Sequence, residues 1–226
     1  MYSVGDDSAL ATRGATDRLR KHHNTVRQGV NKARIIRVML PTKIMLIRHA
    51  EKPSDNPPPH GVTPHGAHDN KALAVRGWMR AGALAVLFAP TAGKFQNPQF
   101  AMPNFIYAMG IGSGSESSRP QQTITPLLEK LADTAQANFY FLKGQENDMI
   151  VSVLDKQGVV LICWEHDQLA HAARHVPLSE NNRAAVPKEW DGERFDLVWI
   201  FDRDEKAEGY LFSQAGQLVL AGDLPA

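Results

Sequence analysis

Three short, unbroken apolar runs restrict the fold more than any other feature of this chain: IMLI within residues 43–48, FIYAM within 104–109 and VVLICW at 159–164. Each is bounded by turn-forming residues and is too short for a helix, so each reads as a strand buried on both faces. The segments between them carry a different period. Residues 72–89 (ALAVRGWMRAGALAVLFA) repeat apolar residues at helical spacing and stop at Pro90. Residues 120–132 start with proline, which suits a first helical turn, while Pro126 is expected to bend or shorten that helix. Residues 146–155 and 166–174 also read as helices. Further strands are expected at 137–142 (ANFYFL), 194–202 (RFDLVWIFD) and 209–214 (GYLFSQ), the last two paired. Residues 54–70 and 175–193 read as loops. Strands alternating with helices define an α/β class: a three-layer sandwich with a mainly parallel central sheet flanked by helices.

The 226 residues suffice for one domain with a full core. Residues 1–38 differ in composition, with eight Lys or Arg against three Asp and few large apolar residues. They read as a poorly ordered basic extension, so the chain divides into residues 1–40 and an α/β domain at 41–226. A net charge of +1 supplies no global field to draw nucleic acid or a membrane surface. No apolar run approaches the roughly 20 residues of a membrane span, and residues 1–40 hold no apolar core of a secretory signal. The single cysteine, Cys163, excludes an internal disulfide, and the reading is a cytoplasmic protein.

In open α/β sheets ligands bind beyond the carboxyl ends of the strands. Three such ends carry similar chemistry. After the first strand come Arg48, His49, Glu51 and Lys52; after the second comes SGSESSRPQQT, in which Arg119 enters a helix; after the fourth come Glu165, His166 and Asp167 at a helix start. Guanidinium forks match phosphate oxygens in paired fashion, and helix starts favour anions. Singly, each cluster reads more readily as a salt-bridge partner or a helix cap. Gathered at one edge of one sheet, they describe an anion pocket holding a nucleophile.

The ordered set IRHAEKP, SSRPQQT and a strand running into EHD resembles the histidine phosphatase (phosphoglycerate mutase-like) superfamily, over residues 43 to about 202. That resemblance implies a phosphoglycerate mutase-like fold and phosphoryl transfer through a phosphohistidine, with no metal and no cofactor. It makes His49 the nucleophile, with Arg48, Lys52, Arg119 and His166 binding the phosphoryl group. Asp167 ranks first as proton donor and Glu165 second, in either case with a pKa raised by burial or by the neighbouring carboxylate. Ala50 stands where the family more often has glycine, and Lys52 offers a point charge rather than a fork.

The expected activity is therefore metal-independent hydrolysis of a phosphomonoester, on a small molecule or a phosphoprotein. A phosphoglycerate mutase-type phosphotransferase and a non-catalytic phospholigand-binding module are the alternatives. The short stretch between Arg119 and His166 leaves no room for a cap domain, which favours hydrolysis over a mutase. A third idea places a metal on His60, His65 and His68, although histidines in such a Gly- and Pro-rich loop are more often solvated. Trp78, Met79 and Trp199 read as core residues, Cys163 as inert, and Arg76 and Arg80 as a solvated pair one helical turn apart.

Overall fold

The alternation of side chains along β1 (Lys43–Arg48) shows how the layers arise. Ile44 and Leu46 point into one apolar cluster, Met45 and Ile47 into another on the opposite face. β4 (Val159–Trp164) repeats the pattern, with Val160, Ile162 and Trp164 on one side and Leu161 and Cys163 on the other. A strand buried on both faces needs a cover on each. Helices α1 (Val75–Phe88) and α2 (Arg119–Leu131) contribute Leu84, Phe88, Ile124 and Leu127 to one cluster. Helices α3 (Glu146–Leu154) and α4 (His166–Arg174) bring Met149, Ile150, Leu169 and Ala173 to the other. The result is the three-layer α/β sandwich expected. The computed structural model describes residues 40–206 and 209–226. Residues 41–226 form one compact unit, while the extension expected at 1–38 lies outside the described residues.

The remaining strands are β2 (Phe105–Ala108), β3 (Gln136–Asn138), β5 (Leu197–Asp204) and β6 (Gly209–Gly216). Their order across the sheet is β3-β2-β4-β1-β5-β6. The β3–β2, β2–β4 and β4–β1 pairs are parallel, whereas β5 runs antiparallel to both β1 and β6. In register, Arg48 faces Trp164, and Ala108 faces Cys163. The carboxyl ends of β1, β4 and β2 therefore finish side by side, at the edge where the three charged clusters leave the sheet.

Two strands differ from expectation. β3 keeps only two residues of the expected 137–142, Ala137 and Asn138, because it is the edge strand and Tyr140 beyond it is 85% exposed. Phe141 turns back instead, its carbonyl accepting from Gly110 N–H at 2.8 Å. β5 begins at Leu197 rather than 194, since Arg194 and Asp196 pair with each other across a turn at 2.6 Å. Pro126 does not shorten α2; Ile124, Leu127 and Leu131 hold both sides of it against the core. No helix among the described residues is long and apolar enough to cross a membrane.

Candidate active site

The nucleophile candidate sits where β1 runs out. His49 N–H donates to Trp164 O at 3.0 Å, continuing the β1–β4 ladder one residue past the strand. Ala50 N–H donates to Thr123 Oγ1 at 2.8 Å, and that hydroxyl donates to Arg119 O at 2.7 Å. One buried threonine of the RPQQT stretch thus ties the β1 loop to the start of α2. Gln122 adds a second tie, its Oε1 accepting from Leu73 N–H at 2.8 Å. Helix α1 presses on the same loop. A Cβ at Gly77 would stand 2.5 Å from Glu51 O, so only glycine allows this approach.

His49 itself is 3% exposed, and its Nδ1 lies 2.7 Å from Ala50 O. A carbonyl can only accept, so Nδ1 carries the proton and Nε2 keeps its lone pair. Burial holds the imidazole far below its ordinary range, to about 3, with the charges of Arg119, Arg48 and His166 acting in the same sense. The bond to Ala50 opposes the shift and does not overcome it. The ring is consequently neutral at any pH near neutrality. This has a consequence for stability. The unfolded chain takes up a proton at residue 49 near pH 6.5 and the native protein only near 3. Between those values the unfolded state binds more protons, so native stability falls as pH drops from about 6.5 towards 3. Thermal midpoints followed from pH 7 to 4 should decline, and His49→Gln should remove part of that slope.

Two guanidinium groups flank the imidazole. Arg48 is 2% exposed; its Nη1 donates to Gly192 O, and its Cζ stands 3.7 Å above the Phe195 ring. Burial lowers its pKa to about 10, so it remains charged. Arg119 donates from Nη1 to Asn70 O at 3.2 Å, and burial again depresses its pKa. The Nε of Arg48 and the Nε of Arg119 are both buried without a hydrogen-bond partner among the described residues. Unsatisfied buried donors on charged groups are costly, and an anion is what would satisfy them.

His166 opens α4, and its Cδ2 and Nε2 would both lie 3.5 Å from a Cβ placed at Gly192, the residue that Arg48 holds. Burial lowers its pKa, and the nearby charges of Arg48 and Lys52 act in the same direction. Lys52 is exposed and reaches the site through its field. His166 also borders a groove of about 530 Å³ lined by Asp167, His171, Arg174, Lys188 and Trp190. Arg48, His49, Arg119, His166 and Lys52 are thus brought to one place.

The carboxylates are arranged differently from expectation. Lys143, in the turn before α3, extends its Nζ to Glu165 and to Asp167, at 2.7 Å in each case. Burial alone would raise the Asp167 pKa, but the hydrogen bond and charge of Lys143 outweigh it and hold the carboxyl below its ordinary range. The expected rise at Asp167 is therefore corrected to a fall. Lys143 was not among the expected site residues; a lysine in an LKGQ turn has no local pattern to mark it. Neither do Phe195 and Gly192, which build the wall behind Arg48.

Other side chains find structural roles. Glu51 bonds neither Lys52 nor Arg48; its carboxylate takes Arg76 at 3.1 Å and Arg80 at 2.9 Å. Arg80 is 2% exposed rather than solvated, and it reaches Asp223 at 2.8 Å and Gln217 at 2.9 Å as well. Glu146 is buried and accepts from Trp164 Nε1 and Gly144 N–H, each at 2.9 Å. Cys163 is buried, which pushes its thiol pKa well up. His60 and His68 stack at 4.6 Å, and no group of three or more His, Cys, Asp or Glu side chains among the described residues could hold a metal ion.

The fold is a mainly parallel α/β sandwich with basic and histidine side chains gathered at the carboxyl ends of its strands. No family model and no curated protein matches the chain. Among solved structures, it is similar to a provisionally assigned phosphohistidine phosphatase, SixA, from Agrobacterium tumefaciens. That match has 16% identity and a TM-score of 0.44, covering 76% of this chain and 96% of the other. A provisionally assigned SixA from Nakamurella multipartitia matches at 15% identity and TM-score 0.39, over 76% and 92% of the two chains. Likeness at this level says nothing of activity.

Proposed function

We propose that this protein hydrolyses phosphomonoesters without a metal, through a phosphohistidine on His49. The observation that carries the reading is the state of that imidazole. It is neutral, fixed in the Nδ1–H form by Ala50 O, and set beside the guanidiniums of Arg48 and Arg119, whose buried Nε donors lack partners among the described residues. A phosphate dianion placed against Arg48, Arg119, Lys52 and His166 would meet those donors. The same groups would spread the charge developing on the equatorial oxygens, where such reactions draw most of their rate gain. Attack by the Nε2 lone pair makes the N–P bond while the ester P–O bond breaks. Water then attacks phosphorus, the N–P bond returns its electrons to Nε2, and an ionised Asp167 accepts the water's proton. Glu165 is the second candidate for that base.

Asp167 is 44% exposed at its side chain, so water has access to the base, which favours hydrolysis over a mutase. The substrate and its partner molecule belong to the same reading: a phosphorylated small molecule or phosphoprotein whose body lies along the groove beside α4. The test is turnover of p-nitrophenyl phosphate by purified protein. Hydrolysis inhibited by vanadate and indifferent to EDTA is expected. Phosphate binding with no turnover would leave a phospholigand-binding module instead, and loss of activity on chelation would return attention to the histidine-rich loop.

A further inference from the structure

Lys143 belongs to neither the nucleophile nor the phosphate cradle, yet it makes the shortest side-chain contacts that Glu165 and Asp167 have. Its Nζ lies 2.7 Å from Glu165 Oε2 and 2.7 Å from Asp167 Oδ2, so the two carboxylates are near neighbours held apart in charge by one ammonium. Both carboxylates push the lysine up, to about 12, and it is cationic throughout the working range. Other charges face the pair. Arg119, at the start of α2, acts on Glu165, while His166 acts on Asp167 from within α4.

Without Lys143, the two neighbouring carboxylates would lose the cation they share, and one of them would more readily hold a proton. That proton is the one a general acid hands to a leaving oxygen. We propose that Lys143 is a positioning residue that engages both Glu165 and Asp167 and so withholds them as proton donors, and that it thereby restricts the enzyme to phosphoryl compounds whose leaving group departs unprotonated. This rests on the phosphatase reading above. In the first step the His49 Nε2 pair forms the N–P bond, the P–O bond breaks, and the leaving oxygen keeps the bonding electrons. With both carboxylates engaged by Lys143, neither delivers a proton to it there, and it leaves as an anion. Aryl phosphates and acyl phosphates tolerate such a departure; alkyl phosphates, including sugar phosphates, do not. The second step is unaffected, because an ionised Asp167 is the form that takes the proton of water.

The experiment compares kcat/KM for p-nitrophenyl phosphate, phenyl phosphate and glycerol 2-phosphate in the unaltered protein, Lys143→Met and Lys143→Arg. In the unaltered protein kcat/KM should fall steeply with leaving-group pKa, and glycerol 2-phosphate should lag p-nitrophenyl phosphate by about 10³-fold or more, the usual worth of a missing general acid. Lys143→Met should raise the glycerol-to-nitrophenyl ratio by at least about tenfold. Its activity on the alkyl ester should also decline as pH rises and the shared carboxyl loses its proton. Lys143→Arg, which keeps the cation, should retain the original ratio. A ratio in Lys143→Met within about threefold of the original, with p-nitrophenyl phosphate still hydrolysed, overturns the role of Lys143 and leaves the phosphatase reading in place. If Lys143→Met does not fold, the leaving-group dependence of the unaltered protein decides alone: a shallow dependence overturns the proposal. Absence of His49-dependent turnover on every ester is the failure of the phosphatase reading itself.

Discussion

Replacing His49 with alanine should lower turnover of p-nitrophenyl phosphate by on the order of 10⁴-fold or more, as loss of a covalent nucleophile does elsewhere. The same change should abolish acid-labile, base-stable labelling of the protein by a radioactive phosphoryl donor. Both effects follow from geometry already on hand. Nε2 carries the free lone pair because Nδ1 is committed to Ala50 O, and burial beside Arg119 and Arg48 keeps the ring neutral. Binding should survive, since Arg48 and Arg119 remain; phosphate or vanadate should still protect His49→Ala against heat. Retained turnover or retained labelling in the variant would remove the mechanism.

The second large effect lies away from the reacting atoms. Arg80→Met should destabilise the protein by about 3–5 kcal/mol, the usual result of removing one partner from a buried ionic cluster. For a domain of this size that corresponds to a fall in Tm of about 6–20 °C. Arg80 bonds Glu51 through Nε and Nη2, Asp223 through Nη1 and Nη2, and Gln217 through Nη1. Its removal leaves Glu51 to Arg76 and Asp223 to the N–H groups of Val219 and Leu220, and Asp223, held at about 2 chiefly by Arg80 against the effect of burial, would rise. Arg80→Met combined with Asp223→Asn should recover part of the loss. Melting curves of the two variants check the point; equal midpoints for Arg80→Met and the unaltered protein would show that the cluster contributes nothing.

Most of the layer order was readable because the decisive strands are apolar on both faces, and such runs hide little. Strands 43–48 and 159–164 and helix 166–174 fall where the sequence places them. The three clusters carrying Arg48, His49, Arg119 and His166 were readable for a related reason: charged residues directly after buried strands have no packing explanation. Reading failed where a side chain's meaning depends on a distant partner. Arg76 and Arg80 share a helical face, yet Arg80 is buried because Asp223, 143 positions away, comes down over it. Lys143 sits after an edge strand whose end is itself hard to read, and its two carboxylates come from the next strand's far end. Phe195 has the alternation of a strand residue, but the Arg194–Asp196 pair turns it towards Arg48 before the strand begins.

β1 lies inside the sheet, hydrogen-bonded to β4 on one side and to β5 on the other. Local breathing therefore reaches the seat of residue 49 late, after the margins of the sheet have already parted. The proposed nucleophile would thus share the lifetime of the native state itself.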